Sequence, residues 1–200
     1  MQNLIERVKA IILKPRETWA VIKEEEVTST QLMREYVMIL AAIPAVAGFI
    51  GKSIVGMKIP FYGRYHFPLG RGLLWVIVEY ILSLVGVYVV AKVINFLATN
   101  FNAVKDDTKA FKVAAYAWTP AFIAGIFSLI PDLSVLGILG LYSLYLIYLG
   151  LPYLMECPSE KALGYTVTII IAVIVIYVLI GVITGLIVGG FPSVPHGLPR

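Results

Sequence analysis

In 200 residues, 60% of the side chains are hydrophobic, 14% are charged, and the mean hydropathy is +0.89. Soluble domains carry about 45–50% apolar and about 25% charged residues, so a water-facing surface is excluded and an all-α, polytopic integral membrane helical bundle is expected. The net charge of +4 is scattered without a dense basic run, which argues against a nucleic-acid partner. The single Cys157 rules out an intrachain disulfide.

The chain opens with two short amphipathic segments. Leu4, Ile5, Val8, Ile11 and Ile12 form one apolar stripe at helical spacing, and Glu6, Arg7 and Lys9 are expected to face away from it. These charges also interrupt the place where the apolar core of a cleavable signal peptide would lie, so the first membrane span is expected to act as the insertion signal. Pro15 suits the first position of a second helix, which carries Trp19 and Ile22 on one side and ends in the acidic run at Glu24, Glu25 and Glu26. Residues 1–16 carry a net +3 and residues 17–35 a net −3. The first half can therefore lie against anionic headgroups and the second can meet a basic protein partner, although a plain solvated face is the favoured reading of both. Thr28, Ser29 or Thr30 is expected to cap the helix that follows.

A span needs about 20 mostly apolar residues, and five stretches qualify: 36–55, 73–98, 111–130, 133–155 and 163–188. The domain organisation expected from them is an N-terminal amphipathic segment (1–35), a five-span membrane domain (36–189) and a disordered tail (190–200). The turn at Pro131 and Asp132 is short enough to force spans three and four into an antiparallel hairpin. With the N-terminus inside, that side receives Arg7, Lys9, Lys14, Arg16, Lys23, Arg34, Lys92, Lys105, Lys109, Lys112 and Lys161. The other side receives only Lys52, Lys58, Arg64, Arg71 and Arg200. The positive-inside rule then gives a cytoplasmic N-terminus and an external C-terminus in the cell membrane.

Within the spans, Glu79 stands out. It lies roughly 10 Å inside span two at 1.5 Å per residue, and a carboxylate there is costly enough to mark a proton or cation site; a satisfied structural hydrogen bond is the plainer reading. Lys92, about 20 Å further along the same helix, is too far to pair with it and is expected to snorkel to the interface. Asn95 is expected to bridge helices. Tyr142, Tyr145 and Tyr148 recur every three residues on span four and either line a polar seam toward Glu79 or simply pack. Pro120, Pro131 and Pro152 remove backbone donors and can kink spans three and four. Gly181, Gly185 and Gly189 on span five, and Ala117, Ala121 and Gly125 on span three, form small-residue grooves. Homodimerisation is one reading of these grooves, and packing within the bundle is the favoured one.

The loop around Phe61, Tyr62, Tyr65 and Phe67 reads as an interfacial aromatic belt. Gly51-Lys52-Ser53 resembles the end of a phosphate loop, but Val46 stands where the first glycine is needed and no strand precedes it. Enzyme chemistry has no support, because His66 and His196 are the only histidines and neither a zinc motif nor a nucleophile elbow occurs. No cofactor or metal is expected.

Leu4-Ile5-Glu6-Arg7-Val8, then Leu13-Lys14-Pro15-Arg16-Glu17-Thr18-Trp19 with Ile22 and Glu25, resembles the entry to the prokaryotic branch of the Yip family, the Ypt/Rab-interacting proteins. So do Ala115-Tyr116-Ala117-Trp118-Thr119-Pro120, Leu129-Ile130-Pro131 and Tyr142-Ser143-Leu144, which places Pro15, Trp19, Tyr116, Pro120 and Pro131 among the family-like positions. The resemblance covers about residues 4–185. It implies five spans with a cytoplasmic N-terminus, and a non-enzymatic role in membrane organisation or protein association. Eukaryotic members of the family are associated with small-GTPase contact through a longer N-terminal region with a Tyr-Gly-Pro element, which this sequence lacks, so a GTPase partner does not carry over. The contact face would be residues 1–35 and the loop around Lys105 and Lys109. The alternative function is a small ion or solute channel or transporter built on Glu79.

Overall fold

The protein was analysed as a computed structural model, which describes residues 3–59 and 63–188. Helix α1 (Leu4–Leu13) is capped by the Asn3 side chain, which accepts from the Ile5 amide at 3.2 Å. Helix α2 (Pro15–Glu24) starts on the proline, where a missing N–H costs nothing. Ile11, Trp19 and Ile22 are wholly buried, so the apolar faces of both helices rest on the bundle as well as on any surface around it. Ile5 and Leu13 stay exposed.

Five helices among the described residues are long and apolar enough to cross a membrane: Ser29–Val55, Leu69–Phe101, Asp107–Leu129, Pro131–Leu154 and Ser159–Ile187. The first opens with α3 (Ser29–Leu32), whose cap is Thr28, accepting from the Gln31 amide at 3.2 Å. A π-helical segment (Met33–Val37), α4 (Met38–Phe49) and a second π-helical segment (Ile50–Val55) complete it. Pro44 lies inside α4. The chain then turns at Gly56, whose φ of +80° favours a residue without a Cβ. A two-stranded antiparallel ribbon follows, β1 (Met57–Ile59) with β2 (Gly63–Tyr65), pairing Lys58 with Arg64. Sequence patterning reads this segment only as a loop.

The second span is α5 (Leu69–Leu97) with a closing 3₁₀ turn (Ala98–Phe101). The third is α6 (Asp107–Ala117), capped by Asp106, then α7 (Thr119–Ala124) and a 3₁₀ segment (Gly125–Leu129). The fourth begins with a 3₁₀ segment (Pro131–Leu141) and continues as α8 (Tyr142–Leu154); the fifth is α9 (Ser159–Val188). An 11-residue 3₁₀ run is unusual, and its pitch gives it a purpose. A span of 27 α-helical residues covers about 40 Å at 1.5 Å per residue, while the 24-residue fourth span reaches about the same length because 3₁₀ residues rise about 2.0 Å.

The third span is the axis of the bundle. Of its most apolar stretch 72% is buried, against 17% for the second and fifth spans, which therefore form most of the lipid-facing wall. Small residues make this central position tolerable, since Ala110, Ala114, Ala115 and Ala117 have no exposed surface and let neighbouring backbones approach. On the opposite edge, Gly125 sits against Pro44, where an added Cβ would come within 2.4 Å of the proline Cβ. Gly150 lies under the Trp19 ring, 2.9 Å from where its own Cβ would be. The span-three groove of Ala117, Ala121 and Gly125 is thus filled from within the bundle.

Span five differs. Nothing lies within 4 Å of a Cβ built on Gly181 or Gly185, so intrabundle packing, the favoured expectation for this groove, is not what these two glycines do. Gly189 and the tail 190–200 fall outside the described residues, as do Phe61 and Tyr62 of the aromatic loop. Pro120 lies in the first turn of α7 just past a break at Trp118, Pro131 follows an extended Ile130, and Pro152 is carried in the last turn of α8 without ending it.

Candidate functional site

The face that carries the N-terminus also gathers the ends of spans two and four and the starts of spans one, three and five. Polar side chains tie these ends together. Lys92 pairs with Asp107 at 2.9 Å, and Asn95 donates to the same carboxylate at 2.7 Å. Lys92 is thus anchored to the start of span three, and Asn95 bridges helices as expected. Lys109 pairs with Glu156 at 2.9 Å, joining the starts of spans three and five through the intervening loop, and this contact holds the Glu156 carboxyl below its ordinary range. Cys157, next to it, is buried, and burial pushes its thiol up.

Between α1, the linker after α2 and the starts of spans one and three lies a cavity of about 620 Å³, within the usual range for a small-molecule site. Arg7 forms one wall. It is only 6% exposed and pairs with Glu25, while its guanidinium stands 5.7 Å from the centre of the Tyr116 ring. The expectation that Arg7 faces away from the apolar stripe is therefore wrong. It sits between Leu4 and Ile11 at i+3 and i+4, on the stripe itself, and burial is tolerable because a carboxylate neutralises it.

Tyr36 and Tyr116 make the inner wall, their ring centres 4.9 Å apart. Thr119 donates its one hydroxyl proton to the Tyr116 carbonyl at 2.7 Å, so the 2.7 Å contact between Tyr36 and Thr119 has Tyr36 as donor. The Tyr116 hydroxyl, on a residue 4% exposed, finds no partner among the described residues. Glu26 and Glu35 lie on the exposed rim. Lys112 closes the linker from below by donating to the carbonyls of Ile22, at 3.2 Å, and Glu25. Both π-helical segments of span one carry polar groups to special places. The first presents Glu35 and Tyr36 to this cavity; the second presents Lys52 to the region of Glu79.

Glu79 has one carboxylate oxygen buried without a hydrogen-bond partner. Its charge neighbour is Lys52, whose ammonium lies over the Trp75 ring at 3.3 Å. Tyr177 is also in electrostatic reach and accepts from the Trp118 indole at 2.9 Å. The space lined by Lys52, Trp75, Ser53 and Gly72 is closed, with about 0 Å³ free. The seam of Tyr142, Tyr145 and Tyr148 does not reach this site. Tyr142 donates to the Ile12 carbonyl of α1 at 3.1 Å, and Tyr145 and Tyr148 point outward, because α8 packs on α2, α6 and α9 while α5 carries Glu79 on another side of the bundle. Only Tyr142 of the stripe is tied into the bundle, so the three tyrosines form neither a seam toward Glu79 nor a packed stripe.

Lys52 escapes a sequence reading because it looks like an interfacial cation. The only hint is its position three residues from a helix end rich in small residues. Of the family-like residues, Trp19 and Tyr116 meet edge to face at 6.3 Å, while Pro120 and Pro131 mark breaks in the spans and Pro15 starts α2.

An α-helical five-span bundle with N-terminal helices folded back on its polar face is the class of protein that these features define. The chain belongs to the Yip1 domain family, whose model matches residues 9–183. It is 27% identical over 156 residues, 76% of this chain and 80% of the relative, to the inner membrane protein YohC of Escherichia coli K12, and equally to that of Escherichia coli O6:H1. No solved structure matches it.

Proposed function

We propose that the protein is a non-enzymatic, Yip-type organiser of the cell membrane that works through its cytoplasmic face, with the N-terminus inside and the C-terminus outside. The contact surface is made of residues 3–35 and the loop around Lys105 and Lys109. The observation that carries this reading is the cavity of about 620 Å³ at that face, walled by a partly buried ion pair and two tyrosines. The excess of Lys and Arg on the same side supports the orientation, and the relative's printed name, an inner membrane protein, supports the location. Photo-crosslinking side chains placed at Glu26 and at Lys105 test it in cells. Specific adducts at these two positions, absent at Lys58 on the far ribbon, are expected; equal labelling at all three would remove the reading.

A second reading, a small ion or solute transporter, is favoured by the unpartnered oxygen of Glu79. The closed space beside Lys52 weighs against it, since an ion path needs room for water. Proteoliposomes decide between the two. A selective flux that disappears in Glu79→Gln would establish transport, and its absence leaves the organiser reading in place.

A further inference from the structure

The occupant of the cytoplasmic cavity can be read from its unanswered groups, on the reading that this face is the contact surface. Arg7 and Glu25 neutralise each other, which leaves Glu26 and Glu35 as the net charge of the lining, with Glu35 also accepting from Gln31 at 3.3 Å and Lys112 in electrostatic reach of Glu26. The rim therefore asks for a cation. The inner wall offers donors instead, because cavity-lining Tyr116 finds no protein acceptor for its hydroxyl among the described residues, and Arg7 has guanidinium N–H groups beyond the one that meets Glu25. A simple cation leaves the tyrosine unanswered, and a simple anion meets repulsion at the rim. A group with an acceptor inward and an ammonium outward satisfies both.

Depth points to the same chemistry. The first span runs for 27 residues, more than the roughly 20 that the hydrocarbon core requires, so its first turns lie in the headgroup layer. The cavity is walled by Gln31, Leu32, Glu35 and Tyr36 in the first two turns of that span, at headgroup level. We propose that this cavity binds a phosphoethanolamine group, its phosphate received by Tyr116 and Arg7 and its ammonium by Glu26 and Glu35. The group reaches the site either on a membrane lipid or as a free zwitterion.

Thermal unfolding of the full chain in mild detergent tests this with phosphatidylethanolamine, phosphatidylglycerol of the same acyl chains, and free phosphoethanolamine. Phosphatidylethanolamine at about 100-fold above its Kd is expected to raise Tm saturably by about 5–10 °C, and phosphatidylglycerol by much less. An equal rise with free phosphoethanolamine identifies a soluble ligand, whereas a rise with the lipid alone identifies the headgroup of a bilayer lipid; both support the site. The exposed-rim double variant Glu26→Gln/Glu35→Gln should weaken binding at least tenfold, and Tyr116→Phe about fivefold to tenfold, with the unliganded Tm of each variant reporting its folding. Equal stabilisation by both lipids, no stabilisation by any ligand, or affinities unchanged in both variants would overturn the assignment. These results are independent of the crosslinking pattern, so loss of the ligand assignment leaves the contact surface to its own test.

Discussion

At the scale of single residues, the tightest constraints are glycines under fixed neighbours. A methyl on Gly150 would press the Trp19 ring, which can shift a little, whereas one on Gly125 would meet the Pro44 Cβ and Cα, which cannot. Overpacking costs about 1–3 kcal/mol. Gly150→Ala should therefore lower stability by about 1–2 kcal/mol and loosen α2, and Gly125→Ala should cost more and disturb the packing of spans one and three. Thermal melts in detergent measure both, with near-ultraviolet circular dichroism following the Trp19 environment. The Lys52 and Glu79 charges form a second residue-scale test. No ion pair within 4 Å joins them among the described residues, so their coupling is expected to lie at about 0.5–3 kcal/mol, the range of neighbouring side chains. Lys52→Met is expected to be clearly destabilising, and Lys52→Met/Glu79→Gln to recover much of the loss. Additive single effects in this double-mutant cycle would mean that the two side chains do not interact.

Elements differ in what they do with their small residues. The third span buries its alanines against neighbours, but α9 presents Gly181 and Gly185 to open space. Gly181→Ala and Gly185→Ala should leave the fold intact and raise helix stability by up to about 1 kcal/mol each, because alanine favours a helix over glycine by that amount. If the same pair changes the oligomer size seen by light scattering with detergent correction, α9 is a contact between copies; an unchanged size leaves the groove facing lipid. The elements also show what the sequence leaves unread in spans three and four. Their 3₁₀ segments stretch fewer residues across the same thickness, and hydrophobic periodicity does not report pitch.

For the whole molecule, five crossings put the two ends on opposite sides, so reporters fused before α1 and after α9 should read inside and outside respectively. Reporters on one side would break the topology. The loop pair Lys109–Glu156 adds a pH dependence of defined sign. The folded-state carboxyl is depressed by its lysine, so the pair stabilises the fold above the unfolded carboxyl range near 4.3 and stops contributing as pH falls through the lower folded value. The Tm difference between wild type and Glu156→Gln is expected to be steady from pH 7 to about pH 5 and to shrink below about pH 4. A difference that grows with acid would contradict the assigned partner.

Composition and the spacing of apolar runs were enough, without coordinates, to determine five spans and helices α1 and α2, because hydrocarbon length and helical periodicity are written locally in the chain; the likeness to the Yip family lay in short motifs, and the choice of Thr28 among three candidate caps needed the structure. Tertiary structure alone decided that Arg7 turns inward to Glu25 and Tyr116, that Lys52 and Tyr177 rather than the tyrosines of span four neighbour Glu79, and that the groove of span three is filled while that of span five is open. These contacts join residues far apart in the chain, 18 positions for Arg7 and Glu25, and are set by how the helices pack on one another. A sequence specifies which residues are polar, but only the packed bundle specifies which polar group each one meets.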